Sequence, residues 1–569
     1  MKYLINAILI VALAVFTIQC EVVSDDLLDN PNNPSPDQAS ADFLLNSIQL
    51  GTVNFFGNIE NEASDMTRTT HMFAGTYPSA YQPQFFDTEW STAYATVLID
   101  VQTVIPVAQG RELFTHEAIA RLMKAYVLIS LADRFGDVPV NEALDSGNFN
   151  PAPESGRVVY QTAFAEIDSA RIALGKEALA EPSDDLFYDG DEDNWLTFAN
   201  TLELKALYQQ HKISDPVLPE GVSDFLGRIN TLLAGDVIRT ADQSFVFQYG
   251  TNTSNPDTRH PYFTGNYLTG AGTYMANYYM NQLWNDKSVP DPRIRFYLYR
   301  QVNEPTTDVN EQECVGNLSP PSWYRGNGDG IGPNDPWCVE WNDAGYWGRD
   351  HGDNDGIPPD NLLRTTYGVY PGGGRFDADQ AEGVSDSQGL QGAGIRPIWM
   401  HFFTDFVEAE VELAQGNTGP AATALENGIT NSMEFVMDFS AEAVTAAGGD
   451  ADSLATEAEN NMADYITDVL DRWTNAANDR ERETILANEY HLALFGNGVE
   501  AYNLYRRVAP ERNDPWWRMQ PNLITENPGQ FYNTVIYPAA FVQRNSNANT
   551  KGAEVRPFWM TADPSFGNF

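Results

Sequence analysis

Residues that bind metals or attack substrates are scarce in this sequence. It has seven histidines and three cysteines among 569 residues, and no histidine belongs to a His-Glu-x-x-His zinc pattern. The Gly-x-Ser-x-Gly turn and the phosphate-binding Gly-x-x-x-x-Gly-Lys-Ser/Thr loop are also absent. We therefore predict that the chain is not an enzyme. A glycoside hydrolase remains as an alternative, because the abundant acidic residues could supply a catalytic carboxylate pair.

Basic residues are also few. The chain has 33 Lys and Arg against 79 Asp and Glu, which gives a formal net charge of −46. Such a surface repels phosphate backbones, so we predict no nucleic-acid partner. Salt screens self-repulsion beyond about 8–10 Å, so the acidity favours a saline, marine source.

Only one long apolar run is present, at residues 4–18, after Lys2. It is shorter than the roughly 20 residues that span a membrane, and it ends at Cys20, which predicts a cleaved lipoprotein signal peptide at 1–20. Thr17 and Gln19 stand where the lipoprotein cleavage box prefers Leu and a small residue, so an ordinary signal peptide remains the alternative. We predict lipidation of Cys20 and a polar tether at 21–38.

The two other cysteines, Cys314 and Cys338, flank a segment rich in Gly, Pro and Trp. No Cys-x-x-Cys pair or neighbouring histidine makes them a metal site. In an exported chain the pattern favours a disulfide between them, with two buried free thiols as the alternative.

Helical periodicity dominates both sides of the sequence. Five apolar residues follow the spacing i, i+3, i+4, i+7 and i+8, which predicts one face of an amphipathic helix: Ile119, Leu122, Met123, Tyr126 and Val127. Further helices are predicted at about 88–109, 156–176, 192–212, 398–415, 418–437, 456–477 and 480–495. Short connections between them indicate a mostly α fold with stacked helix pairs like those of tetratricopeptide repeats. We predict one domain over 39–569, with a helical frame at about 39–240 and 398–510.

A loop-rich insertion separates the two helical parts, at about 241–397, and it carries a concentration of aromatic residues. Loops this long are normally functional. Flat aromatic faces bracketed by Gly and Pro suit sugar rings or peptides, although about half of such rings are expected to pack the loop itself. The predicted ligand-binding residues are Trp284, Trp323, Tyr324, Trp337, Trp341, Tyr346 and Trp347.

Two Asp- and Asn-rich loops in the insertion could hold calcium, which prefers six to eight oxygen ligands. The candidate ligands are Asp350, Asp353 and Asp355. Neither loop has EF-hand spacing, and solvated turns are the alternative. No other cofactor is predicted.

Several segments, taken in order, carry a family resemblance. They include AIARLMKAYVLISLADRFGDVPVNEAL (118–144), DDLFYDGDEDNWLTFANTLELKAL (184–207), RTTYGVYPGGGRFD (364–377) and EAYNLYRRVAP (500–510). Together they resemble the SusD/RagB family of outer-membrane nutrient-binding lipoproteins, especially its SusD-like branch. The resemblance implies a SusD-like fold and a lipid-anchored position on the outer membrane at the cell surface. It also implies a SusC-like TonB-dependent transporter as partner and an oligosaccharide or polysaccharide ligand, without covalent chemistry.

Within these motifs, the residues predict structural roles. Gly136 suits a left-handed helix end, Asp193 or Asn194 is placed to cap the next helix, and Glu410 is a candidate ion-pair partner of Arg506 or Arg507. The net charge makes a neutral glucan such as laminarin the first expected ligand. A peptide-binding uptake protein on the same scaffold is the alternative.

Overall fold

The computed structural model describes residues 40–268, 272–284, 286–302, 345–349, 351–352, 364–508 and 531–561. Several predicted features lie outside these residues: the signal peptide and tether, the lipidation site, the disulfide, four of the seven aromatic ligand contacts and the calcium ligands. Those residues are Cys20, Cys314, Cys338, Trp323, Tyr324, Trp337, Trp341, Asp350, Asp353 and Asp355.

The fold is mostly helical, as the periodicity predicts. The α-helices of six or more residues in the described chain are α1 (Ala41–Met66), α2 (Asp87–Thr92), α3 (Ile99–Gly110), α4 (Phe114–Phe135), α5 (Gly156–Leu174), α6 (Glu192–Tyr208), α7 (Phe225–Leu233), α8 (Asn277–Trp284), α9 (His401–Ala414), α10 (Thr418–Ala447), α11 (Ala451–Asn475), α12 (Asp479–Ala493), α13 (Gly498–Val508) and α14 (Ala539–Arg544). A π-helical turn, Ala93–Leu98, joins α2 to α3.

Helices that follow one another in the chain pack against each other. The most extensive pairings are α4 with α5 and α9 with α10, and α1 lies between α13, α3 and α4. The apolar stripe predicted from Ile119 to Val127 is buried on α4. Burying such a stripe contributes about 1.5–3 kcal/mol for each large side chain, which is why neighbouring pairs stack.

Strands are few and short in the described chain. β1 (Phe245–Gln248) pairs antiparallel with β4 (Ile395–Trp399), and β2 (Leu298–Tyr299) pairs antiparallel with β3 (Thr366–Tyr367). Each pair joins segments far apart in the sequence. The strands therefore tie the loop-rich part to itself and, through β4 and α9, to the helices.

The helix-end and ion-pair predictions are partly right. Gly136 ends α4 with φ of +77°, and Arg507 donates to both carboxylate oxygens of Glu410 at 2.6 and 2.8 Å, inside the helical frame. The predicted cap of α6 is wrong by two or three residues. Asp191 caps that helix by accepting from the backbone N–H of Asn194, because the extended backbone that a cap needs falls at Asp191.

One stretch of the described chain, Pro83–Gly110, is long and apolar enough to cross a membrane by length and composition alone. Its helices pack against α1 and α4. One such stretch is weak evidence for a membrane span, because the core helix of a folded domain can have the same composition.

Candidate functional site

Three distant segments meet where the loop-rich part contacts the C-terminal end of α1. His71 donates its backbone N–H to Tyr274 at 2.9 Å, and Arg349 donates its own to Met275 at 3.0 Å. Gly352 donates to the carbonyl of Met72 at 3.1 Å. These main-chain bonds hold residues 69–72, 274–277, 349 and 352 side by side and give their side chains a fixed base.

An aromatic cluster lies on this base, formed by His71, Phe73 and Tyr274; we call it the aromatic platform. The ring of Phe73 is 4.6 Å from His71 and 5.6 Å from Tyr274, both edge to face. Phe73 is 41% exposed, and the next residue, Ala74, has φ of +88°. A strained non-glycine residue beside an exposed ring is a feature that clusters at ligand sites.

Two arginines flank the platform. The guanidinium carbons of Arg349 and Arg364 lie 4.9 and 5.2 Å from the Tyr274 ring centroid, and both side chains are largely buried. Arg364 also donates to the carbonyl of Gly272 at 3.1 Å. Such cation–π contacts fix the orientation of Tyr274. The platform therefore presents the exposed Phe73 ring beside a tyrosine that two buried arginines hold in place.

A second row of rings continues from the platform toward the start of α2. Tyr77 lies 5.7 Å from His351 and 6.3 Å from Tyr81, and Tyr81 lies 5.7 Å from Phe85. Phe85 is 52% exposed, whereas Tyr77 and Tyr81 are buried. Burial lowers the pKa of His351 well below 6.5, with the nearby Arg68 and His71 adding to the effect. His351 is therefore neutral near pH 7, and its uncharged imidazole packs beside the Tyr77 ring.

Three of the seven predicted aromatic contacts lie in the described chain. Tyr346 and Trp347 are only 0% and 3% exposed, and Trp284 is half-buried. Trp284 lies 5.6 Å from Tyr346, whose ring also faces the Arg300 guanidinium at 4.9 Å. Burial raises the pKa of Tyr346 despite that cation. In the structure, Tyr346 and Trp347 support the loops from inside, and Trp284 alone of the three has a partly accessible ring.

Sequence reasoning missed Phe73, Phe85 and Tyr274. The segment HMFAGTYPSAYQPQFF, at 71–86, has aromatic rings interleaved with Gly and Pro. The same composition at 323–347 predicts ligand contacts there, so it could have predicted contacts at 71–86 as well. It was missed because the segment follows directly on a strong helix. Among the described residues, no group of His, Cys, Asp or Glu could hold a metal ion.

The described residues define a mostly helical fold with short strands and long loops. Residues 31–321 match the model of the SusD-like family, described as starch-binding and associating with the outer membrane. The match covers half of the chain, and the chain belongs to this family. Its members are binding proteins and not enzymes, which confirms the prediction that this chain is not an enzyme. The chain is thus a SusD-like nutrient-binding protein associated with the outer membrane. No curated protein sequence matches it.

Solved structures share the fold at low identity. A SusD/RagB family protein from Bacteroides thetaiotaomicron is 18% identical, with a TM-score of 0.63 over 90% of this chain and 95% of that one. A SusD homologue from Bacteroides fragilis is 16% identical, with a TM-score of 0.61 over 92% and 99%. A chitin-binding SusD homologue from Flavobacterium johnsoniae is 17% identical, with a TM-score of 0.60 over 92% and 100%. These likenesses confirm the predicted fold.

Proposed function

We propose that this protein captures neutral oligosaccharides at the cell surface and passes them to a SusC-like TonB-dependent transporter. The observation that carries the proposal is the exposed Phe73 ring on the fixed aromatic platform, beside Tyr274 and two arginines. An exposed aromatic ring held in a fixed orientation offers a stacking face for a sugar ring.

A neutral ligand is supported by the charge of the chain. With a net charge of −46, the protein repels polyanions such as alginate or sulfated polysaccharides, whereas a neutral glucan meets no such barrier. The family description names starch, and one structural relative is named for chitin, both uncharged polymers. Laminarin, the expectation from the acidic composition, is a third neutral candidate and has no support from the relatives.

The surface position belongs to the same proposal. The apolar run ending at Cys20 supports a lipid anchor, and the family's association with the outer membrane supports the location. Several acyl chains on one cysteine anchor durably, whereas a single chain binds only marginally. Cys20→Ala is expected to release the protein from membranes of cells that lack the transporter.

The decisive experiment is affinity electrophoresis in gels containing laminarin, starch, soluble chitin derivative, xylan, mannan or alginate. We expect retardation by a neutral glycan and about tenfold weaker binding for Phe73→Ala and Tyr274→Ala, as for an aromatic anchor. Phe43→Ala is the matched control, since Phe43 is 79% exposed on α1, outside the platform. Trp323→Ala, Trp337→Ala and Trp341→Ala test the ligand contacts predicted from the sequence.

The outcomes separate the alternatives. Retardation by none of the glycans, together with binding of peptides, would replace the glycan proposal by the peptide-uptake alternative. Release of reducing ends from a bound glycan would support the alternative that the protein is a glycoside hydrolase. Retardation that is unchanged in the Phe73 and Tyr274 variants would remove the platform from the proposal while leaving glycan capture intact.

A further inference from the structure

A cleft of about 650 Å³ lies on the helical side, among α3, α4, α5 and the segment after α4. Its polar lining includes Gln102, Arg121, Lys124, Asn141 and Glu166. It shares no residue with the aromatic platform. The volume falls within the range of small-ligand sites in proteins.

The charges in this cleft are arranged as a closed network. Arg121 and Lys124 each donate to a different oxygen of Glu166 at 2.6 Å, and Arg121 also donates to Glu117 at 2.8 Å. Two cations therefore meet two carboxylates, and Arg121, Lys124 and Glu166 retain partial exposure of 15%, 28% and 13%. Such a network presents both donors and acceptors without a net charge, as hydroxyl groups require.

An aromatic cleft of about 290 Å³ adjoins the polar one, and the two share Pro139 and Ala143 in their walls. In the aromatic cleft, the ring of Trp90 lies 4.7 Å from Tyr94 and 4.5 Å from Phe541. Neighbouring rings on both sides hold Trp90 in place. We call these two neighbouring clefts, one aromatic and one polar, the groove.

Phe149 stands at the rim of the aromatic cleft and is 83% exposed. Its exposure does not come from a loose loop. Asn150 donates its backbone N–H to the side chain of Asn148 at 3.0 Å, its own carbonyl accepts from Asn547 at 2.6 Å, and Asn545 donates to Pro151 at 2.7 Å. An exposed ring on a loop tied to another segment is available for contact at little entropic cost.

We propose that this groove is a second glycan-binding site, in which Phe149 stacks on a sugar ring and the Arg121–Glu166–Lys124 network binds hydroxyls. The proposal rests on the proposed function, because the ligand class is the same neutral oligosaccharide. Side-chain amides near the ring, and a balanced polar lining beyond it, fit a hydroxylated ligand better than a protein partner, which would require a broader apolar surface. A second site would raise the avidity for a long polysaccharide without any new contact at the platform.

The test compares Phe149→Ala, Phe73→Ala and the double variant in gels of the retarding polysaccharide, and in calorimetric titrations with laminarihexaose, maltohexaose and chitohexaose. Phe43→Ala again removes an exposed phenyl ring elsewhere. We expect two sites per chain in the wild type and one in each single variant, and at least threefold weaker retention of the polymer for Phe149→Ala. Glu166→Gln, which leaves Lys124 without its carboxylate and Arg121 with Glu117 alone, should weaken the second site alone.

Each result decides the matter. One site per chain in the wild type, lost in Phe73→Ala and unchanged in Phe149→Ala, overturns the second site and leaves the proposed function standing. Absence of any glycan binding in the wild type overturns both. Unchanged glycan binding in Phe149→Ala, together with loss of a complex with the transporter, would make the groove a protein contact and overturn the glycan assignment.

Discussion

The helical side and the loop-rich side of this protein both contain buried ion pairs and stacked rings, but they differ in how closely their backbones approach. Between helices, buried ion pairs cross the core, as Arg507 does with Glu410. Among the loops, aromatic rings stack, as Tyr262 does on Tyr367 at 4.1 Å, and backbones approach closely at glycines such as Gly389. Helices satisfy their own backbone bonds, so side chains determine how they pack. Loops must find backbone partners in distant segments, which leaves little room for side chains at the crossings.

The largest expected effect comes from breaking an ion pair on the helical side. Glu410→Ala leaves the Arg507 guanidinium buried without its carboxylate, which should lower the free energy of unfolding by about 3–5 kcal/mol. Urea unfolding at pH 7 measures this loss. The double variant Glu410→Leu/Arg507→Met is the control, and it should be more stable than Glu410→Ala, because it leaves no buried charge.

The same pair has a defined pH dependence. Burial acts to raise the pKa of Glu410, but Arg507 outweighs it and holds this pKa at about 2. Because the folded-state pKa is depressed, the contribution to stability is complete above about pH 4.5 and is lost as the pH falls toward 2. The difference between wild type and Glu410→Gln should shrink over that window. A difference that stays constant down to pH 2 would contradict the assignment.

Helical structure was predictable here because it is encoded locally. The stripe from Ile119 to Val127 and the turn at Gly136 are properties of short windows, and both are found in the structure. The pairing of Glu410 with Arg506 or Arg507 was anticipated through the family motifs, and the structure selects Arg507. The cap of α6 was misplaced because Asp191, Asp193 and Asn194 are equally good caps by type, and only backbone geometry distinguishes them.

On the loop-rich side, the sharpest test is Gly389→Ala. Gly389 has φ of +60°, and an added Cβ would lie 1.9 Å from the carbonyl oxygen of Gly374. We expect a loss of at least about 2 kcal/mol in the free energy of unfolding, since both backbone strain and a clash arise. Gly190→Ala is the matched control, because Gly190 has φ of +83° with nothing within 4 Å, so only strain of about 1 kcal/mol remains. Equal losses in the two variants would show that the close approach of Gly389 to Gly374 does not affect the free energy of unfolding.

The candidate site was less predictable than the helices. Phe73 and Tyr274 are about 200 residues apart, and main-chain contacts between residues 69–71 and 274–276 bring them together. Composition identified aromatic loops, but it could not tell a supporting ring such as Tyr346 from an exposed one such as Phe73. That distinction depends on which face other segments cover, and this is settled by long-range packing.

A third, smaller effect concerns Glu60, which joins the two sides. It lies on α1, accepts from Tyr262 and lies 3.4 Å from Arg396. Burial raises its pKa to about 7, although Arg396 and Ser64 act to lower it. Because the folded-state pKa is raised, the contribution of Glu60 is complete below about pH 4.5 and is lost as the pH rises through 7. Glu60→Gln should therefore gain about 2 kcal/mol relative to wild type between pH 5 and pH 8. Parallel stability curves for the two proteins would contradict a buried, protonatable Glu60.

The smallest expected effect tests whether burial, and not charge pairing itself, is what makes the helical ion pairs important. Asp215 is 86% exposed and lies 3.3 Å from Arg157 on α5, so the pair has the same chemistry as Glu410 with Arg507 but stands in water. Water screens the attraction, and removal of either partner leaves no buried charge without a counter-ion. Asp215→Ala should change the free energy of unfolding by less than about 0.5 kcal/mol in urea titrations at low salt, and by less still at 0.5 M NaCl. A loss comparable to that of Glu410→Ala would mean that ion pairs stabilise this acidic protein wherever they lie. Burial would then not be the reason why the Glu410–Arg507 pair stabilises the helices.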